Sequence, residues 1–425
     1  MFDIKNINLT EDIQKVKLEN GINIILDPLT NFQSTSIGFF LANGSRDENS
    51  RELGYSHFVE HILFKGTSKY TQKEIAEAFD IMGGYINAYT THESTVVYNR
   101  TPVFYLEETT KMIYEIFQNS SFDKKEIELE KGVIINEIRS ENEDAQEKVH
   151  EYFMENIFPG QSLGLPIIGT ENSIINATRN DLYNFYLDRF NADNLSIIIS
   201  GRINIPKLLD VIKKMEFRKK INKKETPKAI QGNENLFFAT LPSEQIHLIL
   251  GTSKFDITIE NYIQIGLLNI ILGESISSKF YQKIREELGL CYSIYTFFNI
   301  FRKENLFGLY VSLMPENVNK AIKAISKVIK TLLKEGIKKD ELENAKRQKI
   351  GEIIMNSDLV HKRIQRFAFM DITLGKIFTH KETIDIINRT NIEDLNQIIK
   401  KLFIKDNFVT QVLYNKKTKI GDWEF

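Results

Sequence analysis

The short stretch "HFVEHILFKGT" places three reactive side chains, those of His57, Glu60 and His61, within five residues. Histidine is rare here, because the chain has 425 residues and only seven histidines. Two histidines four residues apart on a helix project from one face, so both imidazoles can bind the same metal ion. Glu60 can reach a water on that metal without being a ligand itself. The stretch indicates a metal site, with surface histidines on an ordinary helix as the alternative.

A tetrahedral zinc held by two histidines needs one more protein ligand and keeps one position for water. Candidates lie in "ELEKGVIINEIRSENED", where Glu130 and Glu137 are seven residues apart and share one face of a helix. The apolar run "VIIN" lies between them, and a carboxylate beside such a run tends toward burial, where it needs a partner. The local sequence by itself favours the alternative, two surface glutamates among several. The neighbouring glutamates are Glu126, Glu128, Glu141 and Glu143.

The elements that position these residues are predicted from periodicity. Apolar residues at helical spacing predict a helix from Tyr55 to Phe64, ended by Gly66, and a second helix in "TQKEIAEAFDIMGG". Strand signals occur in "GINIILD", "STSIGFFLANG" and the alternating run "YINAYTTHESTVVYNRT", which predicts a hairpin or a long bent strand. We predict further helices that begin near Pro102 and span roughly 124–153.

The order of elements repeats in the second half of the chain. A β-rich segment, a proline, an amphipathic helix, an acidic turn and a second helix occur twice, and Pro102 corresponds to Pro315 as Glu126 does to Glu341. Between the halves, the lysine-rich segment 217–235 predicts an interdomain linker, with a nucleic-acid patch as the less favoured alternative. We therefore expect an α+β fold of two homologous domains, each an antiparallel or mixed sheet packed against helices, joined by a linker.

The length supports two domains as well, because 425 residues exceed one ordinary core. The predicted ranges are 1–216 for the domain with the metal motif, 217–235 for the linker and 236–425 for the homologous domain. The second copy has no HxxEH, so the reactive cluster is an addition to the fold and not a requirement of it.

Composition and charge narrow the class of protein. The net charge of −2 gives no support for nucleic-acid binding, and no run approaches the ~20 apolar residues of a membrane span. The stretch "MFDIKNINLTED" lacks the basic and apolar regions of a signal peptide, and Cys291 is the only cysteine, so no internal disulfide can form. We expect a cytoplasmic protein without nucleic-acid or membrane partners.

With its HxxEH motif, the inverse of the HExxH zinc signature, the chain resembles the pitrilysin-type, or inverzincin, metallopeptidases of family M16. That family has a glutamate ligand about 76 residues after the second histidine and a supporting acidic residue seven positions earlier, which match Glu137 and Glu130. The resemblance covers nearly the whole chain, including "NGSRDENSRELGYSHFVEHILFKGT", "GGYINAYTTHESTVVY", "GLPIIGTENSI" and "RNDLYNFYLDRFNADNLSIIISG". The chain is similar to the bacterial members with two homologous domains, which are related to the mitochondrial processing peptidase.

The resemblance implies a zinc metalloendopeptidase that hydrolyses unfolded peptides and oligopeptides inside a closed chamber. It implies one Zn²⁺ per chain, held by His57, His61 and Glu137. Glu60 would activate the water at the open position of the metal, and Glu130 would orient one of the two histidines.

The resemblance also implies substrate-binding residues outside the metal motif. The family's second domain supplies an arginine and a tyrosine seven residues apart, which match Arg285 and Tyr292. Tyr292 would donate to the oxyanion and Arg285 would anchor a substrate carbonyl, whereas without the family Arg285 is a solvated charge at a helix end. The substrate would add as a strand to the "YINAYTT" edge, contacting Asn87 and Ala88; a turn residue is the alternative for Asn87.

The zinc motif and the Arg–Tyr pair lie on one chain, so the resemblance implies a homodimer with two active sites. Two alternatives remain open. One is a non-catalytic scaffold subunit of the same fold, and the other is a dedicated processing peptidase for basic leader segments. The acidic stretch "EIRSENEDAQEKVHEYFMEN" suggests the second, although it also fits a solvated helix face.

Overall fold

The computed structural model describes residues 11–19, 21–219, 227–256, 258, 261–415 and 419–425. The strands are β1 (Gln14–Lys17), β2 (Asn23–Pro28), β3 (Ser34–Leu41), β4 (Tyr85–Thr90), β5 (Thr95–Pro102), β6 (Leu195–Gly201), β7 (Leu236–Thr240), β8 (Ile246–Thr252), β9 (Ser293–Ile300), β10 (Asn305–Leu313) and β11 (Val409–Tyr414). The helices are α1 (Tyr55–Leu63), α2 (Gln72–Ile81), α3 (Leu106–Asn119), α4 (Lys124–Glu143), α5 (Ala145–Ile157), α6 (Glu171–Asn176), α7 (Arg179–Arg189), α8 (Ile205–Lys213), α9 (Asn261–Asn269), α10 (Val318–Glu335), α11 (Lys339–Ser357), α12 (Val360–Phe369), α13 (His380–Arg389) and α14 (Ile392–Leu402). Segments of π-helix span Ile270–Glu274, Tyr281–Glu287 and Met370–Leu374.

The strands form two sheets that share one topology. Their orders are β1-β2-β6-β3-β5-β4 and β7-β11-β8-β10-β9. With β1 set aside, each sheet places its strands in the order first, fifth, second, fourth, third along its own half of the chain. Each sheet has one parallel pair, β2 with β6 and β7 with β11. The predicted fold class, two similar α+β halves, is confirmed.

Several predicted elements are present in the structure. The first two predicted helices are α1 and α2, and the alternating run forms the β4–β5 hairpin. Among the described residues, no helix is both long and apolar enough to cross a membrane.

The chain forms two compact units, each of which takes segments from both halves. The first comprises Met1–Arg139, Leu165–Pro227 and Ile354–His380, and the second comprises Ser140–Gly164, Lys228–Ile353 and Lys381–Phe425. The domain ranges predicted from the sequence were contiguous. The structure differs from them in two segments, because 140–164 belongs to the second unit and 354–380 to the first. Within the predicted linker, residues 220–226 lie outside the described residues. Of its described ends, Phe217 is buried in the first unit and Gln231 in the second.

The first sheet is covered on both faces. Phe39 and Ile197 lie in the core that the sheet shares with α1, α2, α3, α4, α7 and α8. The next residues along the strands, Phe40 and Ile198, lie on the opposite face against α12. Neighbouring side chains of a strand point to opposite faces, so both faces must be apolar when both are covered. The continuous apolar runs of β3 and β6 follow from this arrangement.

Helix α12 is attached to the first sheet by buried ion pairs as well as by apolar contacts. Arg363 Nε lies 2.6 Å from Asp27 Oδ2, and Arg363 Nη2 lies 3.0 Å from Glu11 Oε1. Ser200 Oγ also donates to Asp27 Oδ2 at 2.6 Å. Both carboxylates are buried, and a buried charge without a partner is strongly destabilising. These ion pairs therefore hold α12, which comes late in the chain, against the first sheet, whose first strands come from the start of the chain.

One prediction about the helices is wrong. The sequence predicted one helix over 124–153, whereas the structure breaks it at Asp144, between α4 and α5. Asp144 has an extended backbone, and its side chain accepts hydrogen bonds from the backbone N–H groups of Gln146 and Glu147. Such a cap satisfies donors that have no partner in the first turn, so a new helix begins there. In the second unit, α5 then packs against the second sheet through residues such as Phe153.

Replacing Phe367 by alanine should destabilise the protein by about 3–5 kcal/mol, because a buried aromatic ring is lost. Phe367 is 0% exposed between α12 and the first sheet, whereas the control residue Phe104 is 68% exposed. The variant Phe104→Ala should change stability by less than about 0.5 kcal/mol. Calorimetric unfolding of both variants would measure this, and equal unfolding temperatures would contradict the packing of α12 described here.

Candidate metal centre

Helix α1 carries its apolar and its reactive residues on different faces. His57 and His61 lie one turn apart, with ring centroids separated by 4.6 Å. The buried Glu48 accepts hydrogen bonds from the backbone N–H groups of Gly54 and Ser56 at 2.8 and 2.7 Å. Burial raises the pKa of Glu48 to about 8, and the two hydrogen bonds oppose that rise. Its side-chain oxygens satisfy backbone donors that have no partner within the helix, so Glu48 fixes the start of α1. The buried residues of the helix are Tyr55, Ser56, Phe58, Val59, Ile62 and Leu63.

Helix α4 brings Glu137 to the two histidines. Glu137 Oε2 lies 3.7 Å from His61 Nε2 and 4.0 Å from His57 Nε2. One ligand atom from each of the three side chains lies within 4.8 Å of the other two. The structure thus brings Glu137, the third ligand that the family resemblance implies, to the two histidines, although Glu137 lies far from them along the chain.

These three side chains fit a zinc ion. With bonds of about 2.0–2.2 Å, a tetrahedral zinc holds its ligand atoms roughly 3.3–3.6 Å apart. The two Glu137–histidine separations, 3.7 and 4.0 Å, are slightly wider, and all three ligand atoms lie within 4.8 Å of one another, so side-chain rotations would bring them to bonding distance. Two imidazole nitrogens and one carboxylate oxygen are also the donor set of catalytic zinc sites that keep one position for water.

Glu130 orients one of the two histidines. Its Oε2 lies 3.0 Å from His61 Nδ1, so we assign the ring proton to Nδ1, which leaves Nε2 free to face Glu137. Glu130 is buried, and Lys65 Nζ lies 2.6 Å from its other oxygen. The lysine compensates for the buried negative charge. His57 Nδ1, in contrast, has no hydrogen-bond partner among the described residues, so the oriented histidine is His61.

Burial sets the protonation states at this site. It lowers the pKa of His57 to about 4, and the neighbouring His61 lowers that pKa further. The His57 imidazole is therefore neutral near pH 7 and keeps a lone pair for a metal. Burial raises the pKa of Glu60, while a hydrogen bond from Thr90 Oγ1 to Glu60 Oε2, at 2.8 Å, opposes that rise. A raised pKa suits a group that must both take up and release a proton.

Strand β4 lies at the edge of the first sheet, where β5 is its only neighbour among the described strands. Asn87 is exposed on this strand, and its Oδ1 accepts a hydrogen bond from the backbone N–H of Ala88 at 2.9 Å. Ile86 and Ala88 are partly buried against the core.

Arg285 and Tyr292 lie in the second unit, where they are neighbours. Arg285 lies in the π-helical segment, and its guanidinium carbon is 5.8 Å from the ring centroid of Tyr292 and 4.8 Å from that of Tyr281. Tyr292 is 73% exposed, an unusual exposure for a large aromatic residue. Burial raises the pKa of the adjacent Cys291 to about 11, so that thiol stays protonated near pH 7.

Comparisons with known proteins identify the family. Residues 24–171 match the family model "Insulinase (Peptidase family M16)", and residues 176–349 match "Peptidase M16 inactive domain". The chain is 30% identical to the "Uncharacterized zinc protease YmxG" of Bacillus subtilis over 397 residues, which cover 93% of this chain and 96% of that relative. The chain belongs to peptidase family M16. The resemblance to bacterial two-domain members of that family is thereby confirmed.

Further M16 relatives and solved structures match this chain over nearly its whole length. An "Uncharacterized zinc protease" of Rickettsia bellii is 31% identical over 398 residues, which cover 93% of this chain and 96% of that one. A protease from Helicobacter pylori superimposes with a TM-score of 0.88 at 20% identity, covering 95% of this chain and 99% of that one. A Pseudomonas fluorescens structure described as a peptidase M16 inactive domain gives a TM-score of 0.89 at 17% identity, covering 96% and 100%. At these identities the structures support the fold alone.

The three clustered side chains all lie in the part of the chain that matches the M16 insulinase model. Residues 176–349, which match the inactive-domain model, contain no HxxEH. The M16 comparison therefore agrees with the sequence prediction that the cluster is an addition to a duplicated fold.

The sequence did not predict two residues that contact this metal centre. They are Lys65, which pairs with Glu130, and Thr90, which donates to Glu60. Lys65 follows His61 by four residues and lies just beyond the end of α1. Side chains four residues apart on a helix lie on the same side, so this spacing would have indicated that Lys65 is near His61. Thr90 alternates with Ile86 and Ala88 along β4, so the two-residue period of a strand would have indicated that it faces the core side, where Glu60 lies.

Replacing Glu137 by glutamine should lower the affinity for zinc by more than the roughly 10- to 100-fold typical of losing an outer hydrogen-bond partner. The physical reason is the loss of a charged ligand. Glu143, exposed on the same helix, offers a matched control, and Glu143→Gln should bind zinc like the parent. Competition with a fluorescent zinc chelator would measure both affinities, and equal affinities would assign the third ligand to another residue.

Proposed function

We propose that this M16 chain is a cytoplasmic zinc metalloendopeptidase that hydrolyses unfolded peptides and oligopeptides and works as a homodimer with one zinc per chain. One observation carries the proposal. Glu60 lies on the same helix as His57 and His61, whose nitrogens face Glu137. Relatives named zinc proteases support it. A scaffold subunit would need neither the ligand group nor the half-buried glutamate beside it.

Each residue of the metal centre has a distinct role in the proposed reaction. Bound zinc supplies Lewis acidity, which polarises the scissile carbonyl and lowers the pKa of water at the site toward about 7. Glu60 takes a proton from the attacking water and delivers it to the leaving nitrogen. The burial that raises the pKa of Glu60 favours the first of these steps, because it makes the carboxylate a stronger base. Glu130 keeps the His61 ring in the orientation that the site needs.

The edge strand β4 suggests the class of substrate. An extended peptide that pairs with β4 gains backbone hydrogen bonds, which give affinity without strict demands on the side chains. Asn87 and Ala88 are the proposed contacts, because the Ala88 N–H is a donor at this edge. A folded protein does not present a free extended segment, so unfolded peptides are the expected substrates.

We further propose that Arg285 and Tyr292 act on the same substrate. Tyr292 would donate its hydroxyl to the oxyanion, and Arg285 would anchor a substrate carbonyl. The support is that both side chains are neighbours in the second unit and that Tyr292 is largely exposed.

Replacing Glu60 by glutamine should leave zinc bound but lower kcat by at least about 10²–10⁴-fold, because the general base is lost and no ligand is removed. Zinc content by elemental analysis and hydrolysis of a quenched fluorescent peptide would be measured on the same sample. The control Glu77→Gln changes an exposed glutamate that pairs with Lys73, and it should behave like the parent. Near-parent hydrolysis by the Glu60 variant would remove Glu60 from this role.

Replacing Tyr292 by phenylalanine should lower kcat by about 10²–10³-fold, the usual effect of losing one oxyanion donor. Phenylalanine keeps the ring, so zinc content and thermal stability should change little. Tyr414→Phe, a half-buried tyrosine of the same unit, is the matched control for the loss of a hydroxyl. Steady-state kinetics with zinc-loaded protein would test this. If the Tyr292 variant hydrolyses peptides at the parent rate, the second unit contributes no oxyanion donor through this residue.

A further inference from the structure

We infer that Thr90 is a positioning residue that holds the carboxylate of Glu60, and that the loop Gly44–Glu48 fixes both residues relative to each other. The inference rests on the proposed function in one respect, the role of Glu60 as base. The position in which Thr90 holds the Glu60 carboxylate does not depend on that role.

The contact between the two residues is direct. Thr90 is the last residue of β4, and its Oγ1 donates to Glu60 Oε2 at 2.8 Å. Threonine is restricted at its first side-chain torsion, so its hydroxyl offers a donor in a defined direction. A hydrogen bond to a charged group is among the stronger ones in proteins. With Oε2 engaged, the other oxygen of Glu60 is the one expected to take a proton from water.

The turn that follows Thr90 is held by the loop before α1. The backbone N–H of Ser45 donates to the carbonyl of Thr91 at 3.2 Å, and that of Arg46 donates to the carbonyl of His92 at 2.9 Å. Arg46 Nη1 also lies 2.6 Å from Glu93 Oε1, and both side chains are buried. These contacts tie the end of β4 to the loop over several consecutive residues.

Gly44 shows how close this approach is. A Cβ atom at Gly44 would lie 2.3 Å from the carbonyl oxygen of Thr91 and 2.6 Å from the backbone nitrogen of Glu93. Such distances are far below ordinary contact, and the atoms they involve belong to the backbone. Only glycine therefore allows the loop to reach the turn.

The same loop also holds the helix that carries Glu60. Glu48, at the end of the loop, accepts the hydrogen bonds from Gly54 and Ser56 that fix the start of α1. One short segment thus anchors Thr90 from one side and Glu60 from the other. The geometry points to a device that couples the base to the edge strand on which the substrate is expected to bind.

The test compares Thr90→Val, which keeps the shape and removes the hydroxyl, with Thr90→Ser, which keeps the hydroxyl. In zinc-loaded protein, Thr90→Val should lower kcat by about 10- to 100-fold with a nearly unchanged KM and unchanged zinc content. Thr90→Ser should restore most of the parent kcat. Thr101→Val is the matched control, because Thr101 is a buried threonine of β5 whose hydroxyl has no hydrogen-bond partner among the described residues, and its kcat should equal that of the parent. A parent-like kcat in Thr90→Val, or a failure of Thr90→Ser to restore it, would overturn the inference.

A second readout does not depend on hydrolysis. Crystal structures of the metal-free variants should show Glu60 in more than one rotamer in Thr90→Val and in the parent rotamer in Thr90→Ser. If the parent protein hydrolyses no peptide, the proposed function fails while the rotamers still decide the role of Thr90. A single parent-like rotamer of Glu60 in Thr90→Val would overturn the inference even in an active enzyme.

Discussion

The packing of two helices against one core is the constraint on which the metal centre depends. Helix α1 carries the two histidines and α4 carries Glu137, and each helix buries its other face in the first unit. Within α4, Ile134 and Ile138 are buried on either side of Glu137. A shift of one residue in either helix would rotate its ligands by about 100° around the axis. Apolar packing therefore sets the direction in which the three proposed ligand side chains project, before any metal binds.

A second constraint concerns charge. Several carboxylates near α1 are buried or half-buried, and each is held by a different kind of donor. Glu48 is held by backbone N–H groups, Glu60 by a threonine hydroxyl, Glu93 by an arginine and Glu130 by a lysine and a histidine. A buried polar or charged group is costly unless it has a hydrogen-bond or ionic partner, so each of these contacts also fixes the direction of a side chain. The contacts that offset the cost of burying these carboxyl groups thus also hold the side chains of the site in place.

The sequence predicted the parts of this account that depend on local spacing. Two histidines four residues apart indicated one face of α1, and repeated element order indicated two similar halves. Contacts between distant segments were not predictable in this way. The place of α12 on the first sheet depends on Arg363 meeting Asp27, and nothing near either residue indicates its partner. The contact of Glu130 with His61 rather than His57 is likewise set by the packing of the two helices. Asp144, in contrast, was a local capping signal that periodicity alone overlooked.

We propose that His57, His61 and Glu137 hold one zinc ion per chain. Anomalous diffraction from crystals of the zinc-loaded protein, recorded on both sides of the zinc absorption edge, tests it most directly. The account predicts a single peak within about 2.0–2.2 Å of both histidine nitrogens and one Glu137 oxygen. A peak bound to other side chains, or no peak between these three residues in protein that contains zinc, would contradict it.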